Sequence, residues 1–164
     1  MMFTLYCTAK LRDRLKWPLS AHQQPATTML GNWYATVLFW KPQVALLINE
    51  RTLLPVMLPL APADSLIERI GPAVAQVLAR QGVDARLIET ESAAMAQVEI
   101  AKTANRSVVG TMNEFAFEAT VYRDHGGTTG PVELSMRLAE TPCGGIRYDS
   151  PSRLLRSITA GRPH

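Results

Sequence analysis

Two apolar, β-prone runs constrain this chain more than anything else in it. Trp33-Tyr34-Ala35-Thr36-Val37-Leu38-Phe39-Trp40 and Val44-Ala45-Leu46-Leu47-Ile48 are separated only by Lys41-Pro42-Gln43. β-Branched and aromatic residues around a short connection containing proline predict a hairpin over 33–40 and 43–48. The second run is apolar at every position, the pattern of a strand buried on both faces. A lone hairpin of this kind is not stable in water, so the rest of the chain has to supply layers that cover it. With 164 residues, 47% of them hydrophobic, there is enough apolar material for one core. A single domain spanning 1–164 is expected.

Several classes of protein are set aside at once. Cys7 and Cys143 are the only cysteines, too few for a disulfide scaffold. The greasiest stretch, 33–48, is interrupted by Lys41-Pro42 and falls short of the roughly 20 apolar residues of a membrane span. The N-terminal residues carry no basic segment before their apolar run, unlike a secretory signal. The expectation is a soluble, cytoplasmic protein with no membrane contact.

Around the hairpin, residues 3–7 alternate like a strand, and Leu11 and Leu15 place an apolar stripe on a basic helix after Thr8. Residues 18–31 read as loop. Pro55 demotes the strand at 52–58 to an edge or a bulged strand. Ser65 and Glu68 fit a capping box at the start of a helix over 65–81, which Gly71-Pro72 should kink or split and Gly82 should stop. Residues 86–88 and 97–101 read as short strands. Asn105 caps a long helix over 107–122, residues 131–139 form a short one, and Ser150-Pro151 opens the last. Together these give an α+β fold: a mixed, mainly antiparallel sheet, with the helices at 65–81 and 107–122 packed on one face.

Charge is concentrated at the ends. Lys10, Arg12, Arg14 and Lys16 against Asp13 give residues 1–20 a balance of +3, and Arg147, Arg153, Arg156 and Arg162 against Asp149 give 147–164 another +3. The middle of the chain is −3. If the two ends meet, they form a basic patch suited to phosphate or an acidic partner; solvated helix faces would give the same pattern.

Motifs that carry chemistry are scarce. His22, His125 and His164 lie in a loop, a glycine-rich loop and the terminus, none at ligand spacing from another, so no metal is expected. No Walker, dinucleotide or Gly-x-Ser-x-Gly pattern occurs, so no cofactor is expected. Cys7 sits on a strand, where cysteine is usually a small core residue; Cys143, between proline and glycine, reads as more accessible. The segment least explained by packing is Lys102-Thr103-Ala104-Asn105-Arg106-Ser107, where a strand runs into a helix start. Helix amides and the Arg106 guanidinium there suit a phosphate or carboxylate. The competing reading is that Asn105 or Ser107 caps the helix while Arg106 pairs with Glu50, or with Glu114. Trp33 and Tyr34 point to opposite faces of their strand, so at most one of them meets a ligand.

Five segments occur in order: Leu5-Tyr6-Cys7-Thr8-Ala9-Lys10-Leu11, Leu30-Gly31-Asn32-Trp33-Tyr34-Ala35, Asn49-Glu50-Arg51-Thr52-Leu53-Leu54, Asn105-Arg106-Ser107-Val108-Val109-Gly110-Thr111-Met112-Asn113 and Leu138-Ala139-Glu140-Thr141-Pro142-Cys143. Over nearly its whole length the chain resembles an uncharacterised family of short bacterial and phage proteins, known only as a domain of unknown function. The resemblance implies one intact domain in a prokaryotic cytosol, and an association with mobile DNA that suits toxin–antitoxin or phage-defence roles. It supplies no activity and no catalytic residue.

Two functional expectations follow. The first is a non-enzymatic binding or regulatory protein that meets nucleic acid or a partner protein through the basic ends. The alternative is a small hydrolase or nuclease whose pocket gathers Glu50, Arg51, Arg106, Ser107 and Asn113, with arginines stabilising developing phosphate charge and a carboxylate as base. Oligomeric state is left open.

Overall fold

The computed structural model describes residues 2–21 and 24–160; His22, Arg162 and His164 lie outside them. In chain order the elements are β1 (Met2–Cys7), α1 (Ala9–Leu15), β2 (Trp33–Leu38), β3 (Val44–Asn49), β4 (Pro55–Pro59), α2 (Leu66–Arg80), α3 (Ala85–Ala94), β5 (Gln97–Lys102), α4 (Arg106–His125), α5 (Pro131–Leu138) and α6 (Pro151–Thr159), with single 3-10 turns at Ala63–Ser65 and Gly144–Ile146. The hairpin forms as its sequence requires: β2 and β3 pair antiparallel, with Tyr34 opposite Ile48 and Leu38 opposite Val44. β4 joins β3 antiparallel, and β1 pairs parallel with both β2 and β5, so the strand order is β4-β3-β2-β1-β5.

Because side chains alternate along a strand, the sheet feeds two cores. Phe3, Leu5, Trp33, Val37 and Leu47 pack with Ile70, Val74 and Val77 of α2 on one face. Tyr34, Leu38, Leu46, Ile48 and Met57 pack with Met112 and Phe115 of α4 and Leu134 and Leu138 of α5 on the other. The fold is therefore α+β with a mixed sheet, but its helices do not share one face: α2 and α4 lie on opposite sides. The physical reason is β3 itself. Apolar at consecutive positions and buried at all six residues, it needs cover on both faces.

Pro55 does begin an edge strand. The exposed edge of β4 is closed by α5, where the Ser135 hydroxyl accepts from the Met57 amide at 2.8 Å and donates to the Pro131 carbonyl at 2.8 Å. α2 runs through Pro72 without a break. The carbonyl that proline leaves without a partner belongs to the exposed residue Glu68, where water replaces the lost bond, while the buried stripe from Leu66 to Leu78 holds the helix straight on the core. The capping box does not form either. Ser65 donates to the Pro62 carbonyl at 3.2 Å and accepts from Arg69 Nε at 3.0 Å, and the Arg69 guanidinium ties down the carbonyls of Pro59, Leu60 and Pro62.

Residues 86–88, expected as a strand, belong to α3. Asp84 caps that helix by accepting from the Arg86 amide at 2.8 Å, and the buried Glu91 carboxylate accepts from the amides of Met29 and Leu30 at 2.7 and 3.0 Å. Two apolar residues, Leu87 and Ile88, are too short a run to tell a strand from a helix; the cap and the inward Glu91 decide for the helix. Among the described residues, no helix is long and apolar enough to cross a membrane.

Candidate functional site

β5 ends at Lys102 and the chain turns into α4 at Asn105, which caps it as its side-chain chemistry requires: Oδ1 accepts from the amides of Ser107 at 2.9 Å and Val108 at 3.2 Å. The Asn105 amide in turn donates to the Tyr34 hydroxyl at 3.0 Å. The β2 tyrosine thus fixes the start of α4 over the sheet. Tyr6 stacks on Tyr34 with ring centroids 4.8 Å apart, and burial, then the nearby Glu50 carboxylate, raises the Tyr6 phenol above its ordinary value. Trp33 points the other way, into the core under α2.

Beside this helix start lies an open groove of about 410 Å³, bordered by Thr103, Asn105, Arg106, Val109, Gly110 and Asn113. Arg106 and Lys102 are exposed, and among the described residues neither has a hydrogen bond or ion pair. The buried Arg106–Glu50 pair does not form, and Glu114 does not replace Glu50. Arg106 occupies the first helical position, on the rim, where water solvates its guanidinium. Glu50 has turned to the neighbouring loop and accepts from the Asn32 amide at 3.2 Å.

The turn that carries Glu50 and Arg51 is organised by a residue the sequence reading passed over. Asn49 is fully buried. Its Oδ1 accepts from the Arg51 amide at 3.1 Å, the Thr52 amide at 2.9 Å and the Thr52 hydroxyl at 3.0 Å, and its Nδ2 donates to the carbonyls of Leu30 at 2.8 Å and Asn32 at 3.3 Å. Arg51 reaches only the Met29 carbonyl, at 3.4 Å. Ser107 faces the segment after α5: a Cβ on Gly145 would sit 3.1 Å from its Oγ and 3.5 Å from Leu53 Cδ1. Of the five residues weighed as a hydrolytic pocket, Arg106 and Asn113 share the groove, while Glu50, Arg51 and Ser107 do not line it.

The two basic ends are held by different contacts. In α1, Arg14 Nε donates to Gln43 in the β2–β3 turn at 2.9 Å and Arg12 Nε to the Cys7 carbonyl at 3.3 Å; Lys10 and Lys16 are exposed. α6 docks Leu155 into the same core that holds Leu11 of α1. In α6, Arg153 pairs loosely with Asp149 at 3.6 Å and Arg156 is exposed.

Arg147 follows Gly145, whose backbone packs against Ser107 at the start of α4. Arg147 and Tyr148 both adopt left-handed backbone, φ +56° and +60°, an arrangement that costs ~1–3 kcal/mol at each non-glycine residue. The bonds that hold it run from the Arg147 amide to the Gly144 carbonyl (3.2 Å), from Tyr148 to Cys143 (2.7 Å) and from Cys143 to Asp149 (3.0 Å). The Tyr148 ring is 77% exposed. The sequence signal for it was an aromatic residue isolated in a polar segment with no periodic apolar partner, and it was not singled out.

Neither thiol is poised as a nucleophile. Burial pushes Cys7 up to about 12 against the opposing pull of Arg12, and pushes Cys143 up to about 11 with help from Glu118 and Glu114. Cys143 is buried rather than accessible, because Cys143 docks in the core with Leu134 and Leu138. Among the described residues, no group of three His, Cys, Asp or Glu side chains is placed to hold a metal ion.

The chain belongs to the domain of unknown function DUF6933, whose family model matches residues 4–154. No curated protein and no solved structure matches it.

Proposed function

Starting from membership of a family with no assigned activity, we propose that the protein is a non-enzymatic binding protein, and that it holds single-stranded nucleic acid on the surface joining the start of α4 to Arg147 and Tyr148. The observation that carries this reading is the left-handed Arg147-Tyr148 pair. A strained turn holds an exposed arginine and an exposed tyrosine as chain neighbours, just after Gly145, whose Cβ position lies 3.1 Å from the Oγ of Ser107, the residue next to Arg106. Lys102 and Arg106 supply charge for phosphates, the α4 amides add the positive end of a helix dipole, and the Tyr148 ring offers a face on which a base stacks. Thiols kept protonated by burial support a binding role over covalent catalysis.

The setting proposed with this function is the cytoplasm of a bacterium, in a mobile-element, toxin–antitoxin or phage-defence role. The test is fluorescence anisotropy with labelled single-stranded RNA, single-stranded DNA and duplex DNA over a range of salt. Three or four phosphate contacts predict a slope of log K against log salt of about −2 to −3 at ~0.7 per contact. Tyr148→Ala should weaken binding at every salt concentration, and Arg106→Ala combined with Arg147→Ala should flatten the slope. Absence of binding at low salt, or binding that none of these substitutions changes, removes the reading.

A further inference from the structure

The far end of α4 builds a second site, with Arg123 about 25 Å along the helix from Arg106 at ~1.5 Å per residue. Here Arg123 lies over the Trp40 ring, 4.0 Å from its centroid. Between this pair and the first turn of α5 opens a pocket of about 370 Å³, within the ~300–1,000 Å³ range of small-molecule sites. Its walls include Val44, Met57 and Leu134, with Pro42, Pro59 and Pro131 at the edges. Proline's fixed φ keeps such walls in place without a ligand, which lowers the ordering cost of binding.

The polar groups of the lining are Lys41, Gln43, Arg123 and Thr129; no carboxylate is among them. Lys41 is exposed and has no ion pair among the described residues. Gln43 already accepts from Arg14 through Oε1, which leaves its NH2 group to donate. Thr129 offers a hydroxyl. Arg123 bonds Asp124 through Nε at 2.9 Å, an exposed contact that water weakens. A neighbouring hollow, beside Tyr122 and Arg137, differs in being lined by Glu118 and Glu140.

We propose that the pocket binds a small apolar carboxylate: a medium-length acyl chain or a single aryl ring lies against Trp40, Val44 and the prolines of the lining, and its carboxylate meets Lys41 and the donors around it. The proposal is independent of the nucleic-acid reading and stands or falls on different residues.

Isothermal titration of the full chain tests it, with octanoate as the probe and octylamine as the same chain with opposite charge. Octanoate should bind saturably, and octylamine about tenfold more weakly or worse. Lys41→Glu should weaken octanoate by about tenfold and bring octylamine up towards it. Thr129→Trp, a substitution at an exposed rim position, should block both. Both variants should keep the wild-type melting temperature, which separates lost binding from lost folding. Failure of octanoate to saturate, equal affinity for the two probes, or octanoate binding unmoved by both substitutions would overturn the proposal.

Discussion

Replacing Asn49 by alanine should be among the most damaging single changes available outside the apolar core. The side chain is fully buried and makes five hydrogen bonds that join the β3–β4 turn to the loop before β2. Three of those bonds are buried, and because the Thr52 hydroxyl keeps its bond from the Leu54 amide, the groups left stranded are the Thr52 amide and the Leu30 carbonyl. An orphaned buried group costs about 1–3 kcal/mol, so losing two costs about 4 kcal/mol at the middle of that range. For a chain of this size, at ~2–4 °C per kcal/mol, the melting temperature should fall by about 8–16 °C. Urea unfolding followed by tryptophan fluorescence measures the loss directly, with Asn113→Ala as control: Asn113 is exposed on α4 and its removal should stay within about 0.5 kcal/mol. A loss below about 1 kcal/mol for Asn49→Ala would refute the view that this residue latches the turn.

Three further outcomes are expected. Arg106→Ala should leave stability within about 0.5 kcal/mol of wild type, since the guanidinium is exposed and unpartnered; a fall of many degrees in a thermal melt would show it to be structural. Ser135→Ala should cost about 1–3 kcal/mol in a urea titration by stranding the Met57 amide on the β4 edge, and no loss would mean water replaces the hydroxyl there. Cys7 keeps its proton to about pH 12 when folded, against an ordinary value of 9.0, so the unfolded chain alone gains by ionising in that window. Stability from this group is complete below pH 9 and falls by about 1.4 kcal/mol per pH unit above it until the folded thiol titrates; Cys7→Ser should abolish that component of the alkaline loss, and an unchanged slope would contradict it.

The sequence spoke clearly where one physical signal acted alone. The β2–β3 hairpin, the Asn105 cap, the Ser150 cap and the edge position of β4 each followed from local chemistry: branched side chains, a capping oxygen, a proline without its amide. It misled where a local signal met a tertiary one. Pro72 marked a break, yet the packed stripe of α2 carried the helix through. Residues 86–88 were too short a run to separate strand from helix, and the buried Glu91 that fixes α3 meets its partners some sixty residues away. The two-faced burial of β3 was visible in its unbroken apolar run, and it should have placed helices on both sides of the sheet. At the candidate site, Lys102, Asn105, Arg106 and Asn113 were found as a segment because they are near in sequence. Arg147 and Tyr148, which the proposed surface adds, come from a turn some forty residues later, and no spacing rule joins two such segments. Glu50 was paired with Arg106 for its charge and its place at the end of an apolar strand; the Asn32 amide took it instead.

The most direct test of the account is a titration of the isotopically labelled protein with a short single-stranded RNA, followed by amide chemical shifts at low salt. The account predicts that the largest changes fall on Lys102, Arg106, Gly110, Arg147 and Tyr148, and that they shrink as salt is raised. Changes confined to α1, or a spectrum that does not move, would contradict it.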